Sequence, residues 1–369
     1  MQAQLEIQLI AMVVAAACAL PGVFLVLRKM SMMSDAISHA ILPGIVIGFF
    51  ATGDLGSPIL IAGAALTGVL TVALVEMISS TRLIKEDAAI GIVFPALFSI
   101  GVILIARYAG DVHLDVDAVL LGELAFAPFD RFIVAGHDIG PRSLYLMSGV
   151  LVVNVLFIVI FFKELKVATF DAGLAAALGL MPALLHYLLM ALVSVTAVGA
   201  FDAVGSILVV ALMVGPPSAA YLLTDRLSVM LALSAVIGAV SAVLGYWFAH
   251  LLDASIGGAM ATMVGVAFFF TWLLAPEKGY VARQRRRRRQ RWTFATKMLT
   301  VHLLSHEGLP EAAEECREDH LTDHLRWEPA FASQAVRVAL AGGLVSRRGP
   351  LLELTDAGRK HASRAVVEI

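Results

Sequence analysis

Charge is what this chain has least of. Asp, Glu, Lys and Arg make up 15% of its 369 residues while 59% are hydrophobic, and mean hydropathy is +0.86. A soluble domain of ordinary make-up carries about 25% charged residues, so this balance excludes one. Cysteine is nearly absent as well. Cys18 lies in an apolar stretch and Cys316 far from it, and such a pair builds no disulfide framework. The sequence has no Gly-x-x-x-x-Gly-Lys-Ser/Thr loop, so it does not cradle ATP in that way. His-Glu-x-x-His and Gly-x-Ser-x-Gly are also missing, which removes the common hydrolase signals. No removable signal peptide is expected, because the first apolar segment has neither a basic start nor a small-residue cleavage site.

What the chain does have is long apolar runs. Nine are found, at roughly 7–27, 35–51, 57–79, 88–106, 144–162, 183–199, 204–223, 228–250 and 256–275. A span needs about 20 apolar residues, with about 17 as a practical minimum. The second and sixth are short, so eight or nine spans are expected. Charge placement supports nine. Arg28 and Lys29, Arg82 and Lys85, Lys163 and Lys166, Arg226, and the Arg283–Arg291 cluster follow alternate spans. Positive charge collects in the cytoplasm, which predicts an external N-terminus and a cytoplasmic C-terminal tail. Arg107, Arg131 and Arg142 then fall outside. They belong to a 107–143 connection that also carries Asp111, His113, Asp115, Asp117 and Glu123, expected to pack over the bundle externally.

Beyond Arg291 the composition turns polar. Residues 293–306, 310–325 and 329–340 have helical spacing, with Pro310 suited to a first turn and Gly342-Gly343 as a stop. Leu344–Ser346 and Leu351–Leu354 read as short strands around an Arg347–Pro350 turn, and Thr355 suits the N-cap of a last helix. The expected fold is an all-α polytopic membrane bundle of 8–9 transmembrane helices over residues 1–280. A basic juxtamembrane linker, 281–291, joins it to a small cytoplasmic domain like a winged helix-turn-helix, 292–369.

Two residues stand out in the second apolar run. Asp35 and His39 are four apart, so on a helix they share a face one turn apart. Ionisable groups at membrane depth are costly and mark transport paths, proton relays or metal sites. A polytopic chain with such residues and no catalytic motif reads as a transporter, a channel or an assembly subunit.

The segment Arg28-Lys29-Met30 through Asp35-Ala-Ile-Ser-His39-Ala-Ile-Leu-Pro-Gly44 resembles the signature of ABC-type manganese, zinc and iron permeases. Similar blocks follow in the family's order: Lys85–Phe94, Val112–Glu123, Gly205–Ala220 and Asp253–Gly258. Gly343-Leu-Val345 and Leu352–Arg359 are similar to the winged-helix part of diphtheria-toxin-repressor-like proteins, found in the family's long members. The resemblance implies a permease subunit that is not itself an enzyme. It would pair with a second permease subunit, the same or a relative, in the plasma (inner) membrane, and work with separate ATPase subunits and an extracytoplasmic metal-binding protein. Its cargo would be manganese, zinc or iron as a divalent ion, with no bound cofactor.

Asp35 and His39 would lie on that path. They supply two ligands, and a two-fold dimer doubles them to four oxygen and nitrogen donors, which suit zinc, manganese or ferrous iron alike. Pro43-Gly44 is placed to break the helix and leave carbonyls toward a cavity. Thr169, Phe170, Asp171, Ala175, Leu178 and Gly179 resemble the family's ATPase-coupling helix. In the tail, Cys316, His320 and His324 at i, i+4, i+8 form a stripe suited to a metal sensor, with His302 or His306 as a further ligand. Met30, Met32 and Met33 are expected to pack, and His186, Asp202, Asn154 and His250 to be isolated, satisfied polar groups. Gly215-Pro216-Pro217 is expected to break the seventh span. DNA is not expected as a partner, since helix 329–341 has only Arg337 as a cation, and the arginine run suits anionic lipid. The alternatives are an ion-coupled secondary metal transporter and a membrane-anchored metal-sensing regulator acting through its tail.

Overall fold

The computed structural model describes residues 2–53, 57–108, 124–134 and 137–367. His113, Asp115 and Asp117 lie outside them. The chain divides into two compact units, Met1–Gly279 and Tyr280–Ile369.

Without water in the bilayer core, each segment must satisfy its backbone internally, which leaves helices as the form for long apolar runs. Among the described residues of the first unit, nine helical stretches are long and apolar enough to cross a membrane. They are Ala3–Leu27, Ser31–Thr52, Ala62–Ser80, Glu86–Tyr108, Arg142–Ile160, Pro182–Phe201, Ser206–Leu223, Leu227–Leu252 and Ile256–Leu274.

The second stretch is two helices, α2 (Ser31–Ala40) and α3 (Leu42–Thr52), after α1 (Gln2–Leu27). The break falls at Ile41, whose carbonyl accepts from the amide of Gly44 at 3.0 Å. Pro43 explains it: proline has no N–H, so the His39 carbonyl loses its helical donor. Gly44 then lets α3 lie directly on α4 (Pro58–Ser80). A Cβ there would stand 2.2 Å from the Gly63 carbonyl oxygen, so backbone meets backbone, as small residues allow in membrane bundles.

The seventh stretch is not broken. Ser206–Leu223 runs as one helix through Pro216 and Pro217, because neighbouring helices can support the freed backbone groups. Met213 of this helix closes on Gly22 of α1, where a Cβ would meet the Met213 carbonyl at 2.0 Å. In the long connection, strands β1 (Arg131–Val134) and β2 (His137–Pro141) form an antiparallel hairpin that hydropathy did not foretell. Arg131 bridges Asp138 at 2.8 Å and Glu6 of α1 at 2.9 Å, so this part of the connection is tied to the start of α1 and its charge is matched.

The second unit begins with a helix, Tyr280–His306, that contains the whole arginine run. The basic segment is therefore helix rather than a separate linker, consistent with arginine's good helix propensity. Short helices Ala312–Glu315 and Leu321–His324 follow, then helix Pro329–Ala341, an antiparallel hairpin of β3 (Val345–Arg348) with β4 (Leu351–Leu354), and helix Asp356–Val367. Leu299, Leu303, Cys316, Leu321, Val336, Val345 and Leu352 form its core.

Candidate metal pair and its buried neighbours

Helix α2 touches α1, α4, α5 (Glu86–Tyr108), helix Pro182–Val204 and helix Ser206–Leu223. Five neighbours hold it, so Met33, Ser34, Ala36, Ile37, Ser38 and Ala40 are buried. The remaining face carries Met32, Asp35 and His39. Asp35 Oδ1 and His39 Nε2 are 3.6 Å apart, with side chains 40% and 26% exposed. Among the described residues neither has another polar partner. His39 leans on the rings of Phe94 and Phe98 in α5, at centroid distances of 5.6 and 6.4 Å, which sets its orientation without using its nitrogens. At 1.5 Å per residue, Asp35 and His39 stand about 6 and 12 Å from the start of α2. Of the nearby methionines, Met33 is fully buried and Met32 is exposed on the pair's own face.

A second cluster lies just before α2. Arg28 donates from Nη1 to His186 Nδ1 at 2.9 Å. That nitrogen therefore accepts, and the ring proton sits on Nε2, which lies 2.5 Å from Glu76 Oε1. Burial pulls the Arg28 guanidinium below its usual range, and the Glu76 carboxylate opposes that shift. His186 is thus not isolated; it joins three helices and a charge pair. Its partners are 158 and 110 positions away in sequence, too far for any local pattern to reveal. Asn154 matches its expectation, donating to the Ala17 carbonyl at 2.9 Å and to Thr196 at 3.0 Å. His250 stacks on Tyr246 in a cavity of about 360 Å³ also lined by Ile7, Leu124, Asp253 and Ser255. The side chain of Asp202 lies outside the described residues.

Arg28 also donates from Nε to Thr169 Oγ1 at 3.3 Å. Thr169 and Phe170 end a helix, Phe162–Phe170. Asp171 caps the next, Ala172–Ala177, by accepting from the Leu174 amide at 2.9 Å. Ala175 is buried against Ala168 and Leu185, and Gly179 turns the chain at φ +76°, a conformation glycine adopts at little cost. The opposite side is apolar and open: Phe170, Leu174, Leu178, Met181 and Leu184 are each at least half exposed.

A match to the ABC 3 transport family spans residues 2–275, about three quarters of the sequence. The chain belongs to that family. As a member it is a multi-pass membrane permease subunit of an ABC system, with ATP hydrolysis in a separate subunit. The chain is 48% identical over 354 residues to the zinc transport system membrane protein TroD of Treponema pallidum, covering 96% of both. It is 49% identical over 273 residues to the manganese transport system membrane protein MntD of Bacillus subtilis, covering 74% of this chain and 92% of that one. The solved PsaBC from Streptococcus pneumoniae, in complex with Fab, has a chain 31% identical with a TM-score of 0.62, covering 76% of this permease and 94% of that chain. The TroD alignment is long enough to take in most of the second unit.

In that second unit the expected stripe is broken. The chain is helical at Ala312–Glu315 and again at Leu321–His324, with Arg317 between them in a β-bridge to Leu351. Cys316 and His320 therefore do not share a helix face. Cys316 is 7% exposed in the apolar core. Burial pushes its thiol up, and the Glu315 and Glu307 charges add to the shift, so it stays protonated at neutral pH and is a poor ligand. The side chain of His324 lies outside the described residues.

Proposed function

We propose that this chain is the permease subunit of an importer for a divalent transition metal ion, manganese, zinc or iron, and that the ion passes Asp35 and His39. The observation that carries the reading is the half-exposed Asp35–His39 pair. It offers one carboxylate and one imidazole on an open face, about 6 and 12 Å along α2 from its start, nearer the basic Arg28-Lys29 end of the span than its centre. In a two-fold pair of permease subunits these become four oxygen and nitrogen donors. Relatives named for zinc and for manganese transport support the class of cargo, and this ligand set suits either ion.

The N-terminus lies outside and the second unit inside, as the alternation of basic residues requires. The surface of Phe170, Leu174 and Leu178 then faces the cytoplasm and receives the ATPase subunit. Movement there reaches the metal helix by a short route, because Thr169 holds Arg28, and Arg28 lies three residues before α2. Two packed arrangements of the Arg28–His186–Glu76 cluster would switch the bundle between outward- and inward-open states. An extracytoplasmic binding protein delivers the ion, and the exposed arginine helix rests near anionic headgroups. The order of helices, hairpin and last helix in the second unit supports a winged-helix architecture.

Uptake of radiolabelled manganese and zinc tests this in cells expressing the chain with its ATPase and binding protein. Uptake of one metal should collapse in Asp35→Ala and in His39→Ala at equal membrane levels. Uptake that survives both substitutions would reduce the pair to a packing contact. Uptake that needs no ATPase would point instead to a gradient-driven transporter.

A further inference from the structure

His302 and His306 are four apart near the end of helix Tyr280–His306, which places them on one face. Their ring centroids are 4.7 Å apart. Glu315, the last residue of the next short helix, comes to the same point. One nitrogen from each ring and one Glu315 oxygen all lie within 4.8 Å of one another, with His302 buried and the other two half-buried. His302 Nε2 is 3.1 Å from the backbone carbonyl oxygen of Glu315. A carbonyl only accepts, so Nε2 carries the proton and Nδ1 keeps a lone pair. Ligating histidines are commonly held by such a carbonyl contact through the second nitrogen.

We propose that His302, His306 and Glu315 form a second metal site, for a divalent transition cation, within the second unit. Two imidazoles and one carboxylate are a zinc-like donor set with a fourth position open to water, and the same set accepts ferrous iron or manganese. Donors around such an ion stand about 3.4 Å apart at bond lengths of about 2.1 Å, so side-chain rotation closes the cluster onto it. Of the nearby acids, Glu307, Glu318 and Asp319 are paired with Arg359, Arg347 and Arg317, and Glu311 and Glu314 add negative charge on the 311–315 segment itself. A bound ion would clamp the two helices across the 307–311 turn. The site is separate from the transport pair, and its test does not depend on the transport reading.

The full chain is purified in detergent carrying Asp35→Ala and His39→Ala, so that the transport pair is empty. Equilibrium dialysis against zinc chloride or manganese chloride, with elemental analysis, should find about one ion retained per chain. Adding His302→Ala with His306→Ala, or Glu315→Gln alone, should weaken retention at least about tenfold, a loss of about 1.4 kcal/mol. The near-isosteric Glu315→Gln decides the matter if the double histidine variant unfolds. Cobalt bound in place of zinc should show visible d–d bands without a thiolate band, unchanged by Cys316→Ser. Failure to retain any ion, retention indifferent to these three side chains, or a spectrum that depends on Cys316 would each overturn the proposal.

Discussion

In the membrane unit Asp35 and His39 lie 3.6 Å apart, whereas Glu76 and His186 lie 2.5 Å apart with Arg28 bonded to the same imidazole. Exposure alone does not separate the two pairs. Their histidines are 26% and 14% exposed, and their carboxylates 40% and 34%. The difference is a resident cation. Arg28 occupies the place beside His186 that an ion would need, and its charge balances Glu76, so that pair links helices and holds no ion. The Asp35–His39 pair has no such occupant among the described residues, and its orientation comes from the Phe94 and Phe98 rings. A half-site of two ligands can release what it binds, as a transport path requires. The trio in the second unit has a third ligand and more burial, which suits retention over passage.

The largest effect should come from emptying the open pair. Asp35→Ala or His39→Ala should lower metal uptake at least about tenfold, since losing 1.4 kcal/mol of binding already does so, while thermal stability stays near wild type. If both effects were reversed, with uptake kept and stability lost, the two pairs would have to exchange roles.

Next comes the occupied pair. Glu76→Gln or His186→Ala should cost about 1–3 kcal/mol, the range for charged hydrogen bonds left partly unmet. In the reconstituted complex, ATP hydrolysis should continue with less uptake per ATP, while metal affinity at Asp35–His39 holds. A drop in that affinity equal to Asp35→Ala would break the comparison. Gly44→Ala is expected to cost about 1–3 kcal/mol through overpacking, because the new Cβ would be driven into the Gly63 carbonyl. The shift of α3 should show as a lower melting temperature.

Asp171→Ala should have the smallest effect on the fold, about 1 kcal/mol for a lost N-cap. Its readout is weaker co-purification of the ATPase subunit with unchanged metal binding at the Asp35–His39 pair. Normal ATPase retention would argue that the Phe170–Leu178 surface is not the contact.

Much of the membrane unit was legible because its rules are local. Apolar run length located the nine candidate spans among the described residues to within a few residues at most ends. Pro43 announced the break at Ile41, since a missing amide acts within one turn. The same logic failed at Pro216-Pro217, where packing from neighbouring helices supports what proline disrupts. It failed again at Cys316, His320 and His324. Helical spacing suggested one face, but the bridge of Arg317 to Leu351 turns the chain out of helix there. The hairpin at Arg131–Pro141 is short and mixed in composition, so nothing in its sequence set it apart from loop.

The sequence by itself determined the medium, eight or nine spans with their approximate bounds, and the presence of one acid and one imidazole on a single helix face. Those follow from hydropathy, charge and a 3.6-residue repeat, all properties of neighbours along the chain. Only the tertiary structure decided that His186 is joined to Arg28 and Glu76, that Arg28 reaches Thr169, and that Glu315 rather than Cys316 meets His302 and His306. Each of those meetings joins side chains on different elements. Their chemistry depends on distance in space, which close packing of helices sets and sequence spacing does not encode.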